Sequence, residues 1–378
     1  MPSEGSAAPV RLVAVGSPPC RHHNRPLRRG CIATIGGVPV HLGWSWFLLA
    51  AVITFVFGRQ LSESTSAGYL IGVGYALVLL VAVLVHEGAH ALAARSFGIT
   101  VHRVVADFLG GHTAFESAGL SAGRSAVIAA AGPGANLALA LGAWLAHLVV
   151  ADGVAGLVLS GIIWINGLLA VFNLLPALPL DGGQLLEAGV WGATGRRSSG
   201  MVIAGWGGRI LTVGLAYWVL VRPVLAGQSP SMFSVAWGLL LGSVIWRGAS
   251  RSIAVGRVRG LMEGRSVRSV ATPVILVPPH TPVSEIAWGS AAVLVLDPSL
   301  GLLWAGHPAP EVPAATPVSA VSSPVPATAV VTAGPEADLW SIVPAIQSTG
   351  TVVLVDSGQV WGAVTTSGLN EALVRPRA

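Results

Sequence analysis

The chain has 378 residues, of which 53% are apolar and only 10% are charged. Soluble domains usually carry about 25% charged residues, so this composition excludes an ordinary soluble protein and indicates a membrane protein. The formal net charge of +5 does not indicate a nucleic-acid-binding protein. The arginines flank apolar segments, where basic residues set the orientation of a chain in the bilayer.

Residues 1–32 are predicted to form a basic N-terminal extension. Both cysteines of the chain, Cys20 and Cys31, lie in it. Together with His22 and His23 they could supply metal ligands, but ligand spacing without a helix or hairpin to hold it is weak evidence for a site. We interpret the segment as a tail. A signal peptide is not expected, because the apolar run that follows lacks a clear small-residue cleavage site.

The region 33–250 contains six apolar segments of spanning length, and the Gly-rich segment 102–124 is interpreted as re-entering the membrane. Arginines cluster before the first segment, after the second and fourth, and after the sixth. The positive-inside rule therefore predicts a multi-pass protein of the plasma membrane with both termini in the cytoplasm. The six segments lie at residues 41–57, 69–95, 125–150, 156–175, 206–225 and 232–248.

Residues 265–378 predict a second domain, reached through a linker at 251–264. In each half a helix is followed by a strand that ends in Asp297 or Asp356, a glycine turn and another strand, which indicates an internal repeat of an α/β unit. The fold class is thus an α-helical polytopic membrane protein, with about six transmembrane helices, followed by a cytoplasmic α/β domain. The segments that carry this interpretation are the β-rich runs 274–277, 291–296, 351–355 and 360–364, the helical stretches 283–288 and 337–347, and a loop insertion within 308–335.

A group of ionisable residues lies inside the second apolar segment, where residues 86–90 read His-Glu-Gly-Ala-His. His86 and His90 are one helical turn apart, so both imidazoles can bind one Zn²⁺, and Glu87 beside them can accept a proton from water. The alternative is that these side chains only reach toward the interface. Apolar residues flank the group on both sides, and ionisable residues are expensive in hydrocarbon, so the sequence favours a functional site.

A hydrolytic zinc site needs three protein ligands, and Asp181 is the candidate for the third. Pro176 and Pro179 break the fourth apolar segment just before it. Such a break places irregular backbone beside a cavity, where Asp181 can face inward. The alternative is an ordinary proline and glycine turn that carries an exposed aspartate.

These motifs, in this order, resemble the site-2 protease family of intramembrane zinc metalloproteases, peptidase family M50. The resemblance rests on the HExxH pattern at 86–90, a Gly-x-x-x-Asn element at 132–136 and an Asn-x-x-Pro…Leu-Asp-Gly element at 173–182. It implies one Zn²⁺ per chain, bound by His86, His90 and Asp181. It also implies that Glu87 is the catalytic residue that activates water and protonates the leaving amine.

The resemblance further implies a membrane-spanning protein substrate, such as an anti-sigma factor or a membrane-bound regulator, cleaved in or near its transmembrane segment. A helical substrate must unwind before its amides can be attacked. Asn136 and Asn173 are candidates for binding the unwound backbone, although small-residue packing is an equal explanation for the element that contains Asn136. Gly110 and Gly111 resemble the family's substrate-binding region, and His112 beside them is an additional candidate.

The region 265–378 resembles a pair of CBS domains, which often bind adenine nucleotides and regulate a linked domain. The resemblance is to the scaffold more than to the site, because Gly368 and His307 stand where the family carries a ribose-binding aspartate. Nucleotide binding is therefore disfavoured, and a docking or homodimerisation module is an equal alternative.

Two other functions are alternatives for the whole chain. A CBS-regulated divalent-metal transporter would use His86, His90 and Asp181 as transport ligands, but transport sites favour several carboxylates and inverted repeats, and neither is evident. An inactive scaffold that binds membrane partners would not require the intact set of motifs.

Overall fold

The structure is a computed structural model that describes residues 31–35, 38–60, 65–107, 110–115, 120–307 and 309–374. Cys20, His22 and His23 lie outside the described residues. The described chain divides into two units, the first ending at Gly260 and the second beginning at Leu261.

The first unit is predominantly helical. Within the part of the chain that the structure describes, five helices are long and apolar enough to cross a membrane, so the chain is a multi-pass membrane protein. A π-helical segment, Tyr217–Val221, joins two of the helices into one span, and the last helix continues through most of the segment predicted as a linker. The helices are α1 (Trp44–Gln60), α2 (Thr65–Ser96), α3 (Ala122–His147), α4 (Gly153–Asn173), α5 (Asp181–Thr194), α6 (Arg197–Ala216), α7 (Arg222–Leu225) and α8 (Met232–Met262).

Of the six predicted spans, five are long and apolar enough to cross a membrane in the described residues, and the first corresponds to a shorter apolar helix. The first predicted segment, 41–57, corresponds to α1, which has 17 residues and falls in a shorter class of apolar helix. Its predicted beginning belongs to a strand that ends at Leu42, so the helix starts only at Trp44. At about 1.5 Å per residue such a helix is shorter than the roughly 30 Å hydrocarbon core.

The first unit also contains a four-stranded sheet that was not predicted. Two of its strands precede α1 in the chain, and the other two follow α2. Within the segment expected to re-enter the membrane, the third and fourth strands form an antiparallel hairpin, and the third strand pairs in parallel with the second. Val38, Val40 and Val104 of the sheet form a small buried cluster with Ala91 of α2. The strands, in spatial order, are β1 (Cys31–Ile35), β2 (Val38–Leu42), β3 (Val101–Asp107) and β4 (Gly110–Phe115).

The loop 174–180 between α4 and α5 is held tightly by glycines of the neighbouring helices. A Cβ on Gly182 would lie 2.3 Å from the carbonyl oxygen of Leu174, and one on Gly208 would lie 2.1 Å from that of Leu178. Only glycine allows helix backbones to approach this loop so closely. The loop therefore has a defined position at the start of α5.

The second unit contains two small sheets. The first sheet has the order β5-β6-β7-β8 and the second β11-β10-β9. Two helices, α9 (Val343–Thr349) and α10 (Thr366–Val374), complete the described part of the unit. The strands are β5 (Val274–Val277), β6 (Ala292–Asp297), β7 (Gly301–Ala305), β8 (Ser322–Pro324), β9 (Val330–Thr332), β10 (Thr351–Asp356) and β11 (Gln359–Thr365).

The predicted internal repeat is confirmed by the strand pairing. Each half has a parallel pair followed by an antiparallel hairpin, β5-β6-β7 in the first and β9-β10-β11 in the second. The halves also exchange edge segments: β8 pairs with β7, and Thr272 bridges Ala363 of β11 in the corresponding way. The predicted helix at 283–288 is wrong, since that stretch holds only a 3₁₀ turn, Val283–Glu285. The stretch 337–347 contains a 3₁₀ turn that leads into α9.

Two matched leucine substitutions test this core in the fragment 261–378. Leu354 of β10 is 0% exposed, whereas Leu300, in the turn before β7, is 63% exposed. Leu354→Ala should lower the free energy of unfolding by about 2–5 kcal/mol through lost burial and a residual cavity. Leu300→Ala should change it by about 0.5 kcal/mol or less. Urea titration measures both, and equal losses would contradict this core.

Candidate metal centre

The predicted HExxH residues lie in the interior of the helical unit. His86, Glu87 and His90 of α2 are all buried, although α2 also exposes large apolar side chains such as Leu77 and Leu92. One side of α2 therefore carries the polar group into the protein, and another presents apolar surface. This arrangement agrees with the rule that ionisable residues in a spanning helix face the protein interior.

Three ligand atoms converge at this point, and they come from the three residues that the sequence singled out. The Nε2 atom of His86 lies 2.9 Å from Oδ2 of Asp181 and 3.1 Å from Nε2 of His90. Nε2 of His90 lies 3.3 Å from the same Asp181 oxygen. Within the described residues this is the group of histidine, cysteine and acidic side chains able to hold a metal ion.

The hydrogen-bond partners of the histidines determine which nitrogen carries the proton. Nδ1 of His90 lies 2.7 Å from the main-chain carbonyl oxygen of Ile128, which can only accept, so this nitrogen donates. Nδ1 of His86 lies 2.5 Å from the side-chain oxygen of Asn136 and donates in the same way. In the neutral tautomers both Nε2 atoms therefore present lone pairs to Asp181.

This geometry fits a tetrahedral cation. In the neutral tautomers, two imidazole lone pairs and a carboxylate oxygen face one another, so all three atoms are acceptors. A single proton would satisfy one pair of atoms, whereas a divalent cation satisfies all three. Zinc bonds of about 2.0–2.1 Å in tetrahedral geometry place ligand atoms about 3.3 Å apart, close to the distances between these three atoms.

Asp181 is positioned by the start of α5. It is the first residue of that helix, where the partial positive charge of the helix end favours a carboxylate. Its second oxygen, Oδ1, accepts a hydrogen bond of 3.3 Å from Nε2 of Gln184. Gln184 was not predicted, although its position one turn after a candidate ligand is a signal that could have suggested it.

Gly132 of α3 forms the wall of the centre. A Cβ at this position would lie 2.4 Å from Nε2 of His90 and 2.6 Å from Nε2 of His86. Any side chain would therefore enter the space where the ligand atoms meet. The Gly-x-x-x-Asn element thus has a specific role at its first residue, beyond helix packing.

The structure places the side chain of Asn136 inside the protein, beside His86. Its side chain is 0% exposed, and its oxygen faces His86. Its amide nitrogen donates to Asn166 at 2.7 Å and to the Ala82 carbonyl at 3.3 Å. Both polar groups of Asn136 are thus used inside the protein in this structure, and its substrate-binding role stays a prediction. Asn166 was missed, since nothing in the local sequence marks it.

The other predicted substrate residues lie in two different places. Asn173 ends α4, and its side-chain amide donates to the Leu169 carbonyl of its own helix at 3.1 Å. Gly110 and Gly111 begin β4 and pair with Asp107 and Ala106 of β3. Glu87 is buried beside His86 in α2.

Comparison with known families identifies the helical unit. Residues 149–214 match the model described as Peptidase family M50, a segment that runs from α4 into α6 and includes Asp181. Over this segment the chain is similar to the M50 peptidase family. The segment does not include His86 or His90, which enter the centre through the geometry described above.

Relatives and a solved structure show similarity over most of the chain. A Mycobacterium tuberculosis protein provisionally named zinc metalloprotease Rip3 is 32% identical over 265 residues, 66% of this chain and 64% of that protein. A Synechocystis protein, provisionally named zinc metalloprotease sll0528, is 29% identical over 252 residues, 64% of each chain. The site-2 protease structure from Methanocaldococcus jannaschii has a TM-score of 0.44 and 20% identity, covering 59% of this chain and 94% of that one. The chain thus covers 64% of the length of each of the first two relatives.

Two glycine substitutions on α3 test the centre. Gly132→Ala should abolish stoichiometric zinc binding, because its Cβ would collide with both imidazoles. Gly134→Ala is the matched control, since a Cβ there meets no atom within 4 Å. Elemental analysis of the purified proteins measures bound zinc. Full zinc content in Gly132→Ala would show that the metal does not bind at this position.

Proposed function

We propose that this protein is an intramembrane zinc metalloendopeptidase of the site-2 protease type. The observation that carries the proposal is the convergence of His86, His90 and Asp181 inside an apolar helical unit, in an arrangement that could hold a metal ion. The zinc metalloprotease names of the relatives support the choice of Zn²⁺, one per chain. Two imidazoles and one carboxylate form a donor set that catalytic zinc sites use, leaving a fourth position open.

Each residue of the centre has a distinct task in this proposal. Zinc, when bound, supplies Lewis-acid polarisation of the scissile carbonyl and makes water more acidic. His86, His90 and Asp181 hold it. Glu87 accepts the proton of the attacking water at its carboxylate and delivers it to the amine nitrogen that leaves. The buried position of Glu87 keeps this proton transfer away from bulk solvent.

The substrate class follows from the surroundings of the centre. We propose a membrane-spanning protein, such as an anti-sigma factor or a membrane-bound regulator, cleaved in or near its transmembrane segment within the lipid bilayer. Gly110 and Gly111 lie on β4, an edge strand of its sheet in the described residues. An unwound substrate could add to such an edge through main-chain hydrogen bonds. Asn173, at the end of α4, stays a candidate for a further contact.

The second unit and the membrane orientation complete the proposal. We propose a plasma-membrane location with both termini in the cytoplasm, and the arginine distribution supports this orientation. The repeated halves of residues 265–378 support a degenerate CBS-like pair that modulates the protease or joins two copies of the chain. The domain scheme is therefore an extension at 1–32, a protease domain at 33–250, a linker at 251–264 and the CBS-like region.

Glu87→Gln should abolish cleavage while the protein keeps its zinc. A general base contributes about 10²–10⁴-fold to the rate, and the amide cannot accept the proton. Wild type and variant are co-expressed with tagged single-span membrane proteins, and shortened products are identified on immunoblots. A zinc transporter would tolerate the change. Zinc transport by Glu87→Gln, together with no cleavage by either wild type or the variant, would therefore favour the transporter.

Removal of the metal provides an independent test. Treatment of the purified protein with a zinc chelator should stop cleavage of a substrate found in that screen, and added Zn²⁺ should restore it, because the three ligands remain in place. Alanine at His86 or Asp181 should prevent the restoration. Cleavage that continues at the original rate in zinc-free protein would overturn the metal-dependent mechanism.

A further inference from the structure

Two buried asparagines connect the metal centre to α4, a helix that supplies no ligand. Asn136 of α3 is 0% exposed, and Asn166 of α4 is 2% exposed. Oδ1 of Asn166 accepts a hydrogen bond of 2.7 Å from the amide of Asn136. Asn136 in turn accepts from Nδ1 of His86. A continuous chain of hydrogen bonds therefore runs across three helices.

The direction of this chain is set by main-chain carbonyls. The amide nitrogen of Asn166 lies 2.9 Å from the carbonyl oxygen of Ile162, and that of Asn136 lies 3.3 Å from the carbonyl oxygen of Ala82. Carbonyl oxygens only accept, so the NH₂ group of each asparagine must face them. Reversing either amide would place oxygen against oxygen. The oxygen of Asn136 is thereby directed at His86.

The consequence for His86 is a defined tautomer. Facing an acceptor, Nδ1 carries the proton, which leaves the lone pair on Nε2, the atom 2.9 Å from Asp181. The opposite tautomer would present an N–H group to the metal position and could not ligate. Partners of this kind fix both the orientation and the basicity of ligating histidines.

Asn166 is the stronger of the two groups that hold Asn136. Its bond to the Asn136 amide is 2.7 Å, whereas the Ala82 carbonyl is at the longer distance of 3.3 Å. Without Asn166, the Asn136 amide keeps one long bond and can rotate, presenting its NH₂ group to His86. That rotation favours the tautomer that cannot ligate.

We propose that Asn166 is a positioning residue of the metal centre, acting through Asn136 to hold His86 in the ligating tautomer. The inference rests on the proposed zinc function. A purely structural role would also explain a buried asparagine, but it would not make the zinc affinity depend on the acceptor at residue 166.

The test compares zinc affinities of full-length variants by titration against a competing chelator. Asn166→Leu should bind zinc about tenfold more weakly, at the lower end of the 10–100-fold range for outer partners of metal ligands. Asn166→Asp should stay within about twofold of wild type, because a protonated carboxyl can donate to the Ile162 carbonyl and still accept from Asn136. The matched control is Asn173→Leu on the same helix. The side-chain amide of Asn173 donates to the Leu169 carbonyl of its own helix and takes no part in the chain of hydrogen bonds that reaches His86.

A second readout is the visible absorption spectrum of the Co²⁺-substituted protein. The bands should shift in Asn166→Leu and not in Asn166→Asp or Asn173→Leu, because only the first changes the orientation of His86. If Asn166→Leu does not fold, Asn166→Ser replaces it, since its short hydroxyl does not reach Asn136. An unchanged zinc affinity in Asn166→Leu, or in Asn166→Ser where it replaces it, overturns the proposal. A weaker affinity in that variant, together with a near wild-type affinity in Asn166→Asp, supports it.

The outcomes separate this inference from the proposed function. Wild type that binds no zinc would overturn the proposed function. If wild type binds zinc and Asn166→Leu has the same zinc affinity and the same Co²⁺ spectrum, only the positioning role is overturned. Equal losses in Asn166→Leu and Asn173→Leu would also overturn it, because they would reflect α4 as a whole.

Discussion

The structure of the helical unit depends on one electrostatic constraint, the meeting of three electron-pair donors in an interior with few polar groups. His86, His90 and Asp181 come within about 3 Å of one another. Such a meeting is unfavourable without a cation, and it requires that α2, α3 and α5 approach closely. The features that permit the approach are backbone features: Gly132 leaves the space that the ligand atoms occupy, and Gly182 lets α5 begin against the preceding loop.

The ligand set was predictable from the sequence because its signals are local. Each ligand belongs to a pattern that is recognisable within a few residues. The histidines are an i, i+4 pair within an apolar helix, and the aspartate follows two prolines. Four strands of the second unit, β5, β6, β10 and β11, were predictable for the same reason, since Asp297 and Asp356 each precede a glycine turn. The short strands β8 and β9 lie in the segment interpreted as a loop insertion and were not predicted. The predicted features require no knowledge of how distant segments meet.

The features that could not be predicted from the sequence depend on contacts between residues that are far apart in the chain. The sheet of the first unit joins β2 to β3 across two helices, and its short strands lie next to apolar helices that dominate the hydropathy pattern. The roles of Asn136 and Asn166 follow only from their contact with each other and with His86. The shortness of α1 likewise follows from the pairing of Val38–Leu42 as a strand, which tertiary context decides.

Helix α4 thus has more influence on the centre than its lack of ligands suggests. Through Asn166 it reaches the His86 side, and through the loop 174–180 it leads directly to Asp181. A displacement of α4 would therefore act on two of the three ligands together, turning His86 and moving the start of α5. Because interior packing resists small continuous shifts, the position of this one helix constrains both the His86 side and the Asp181 side of the metal centre.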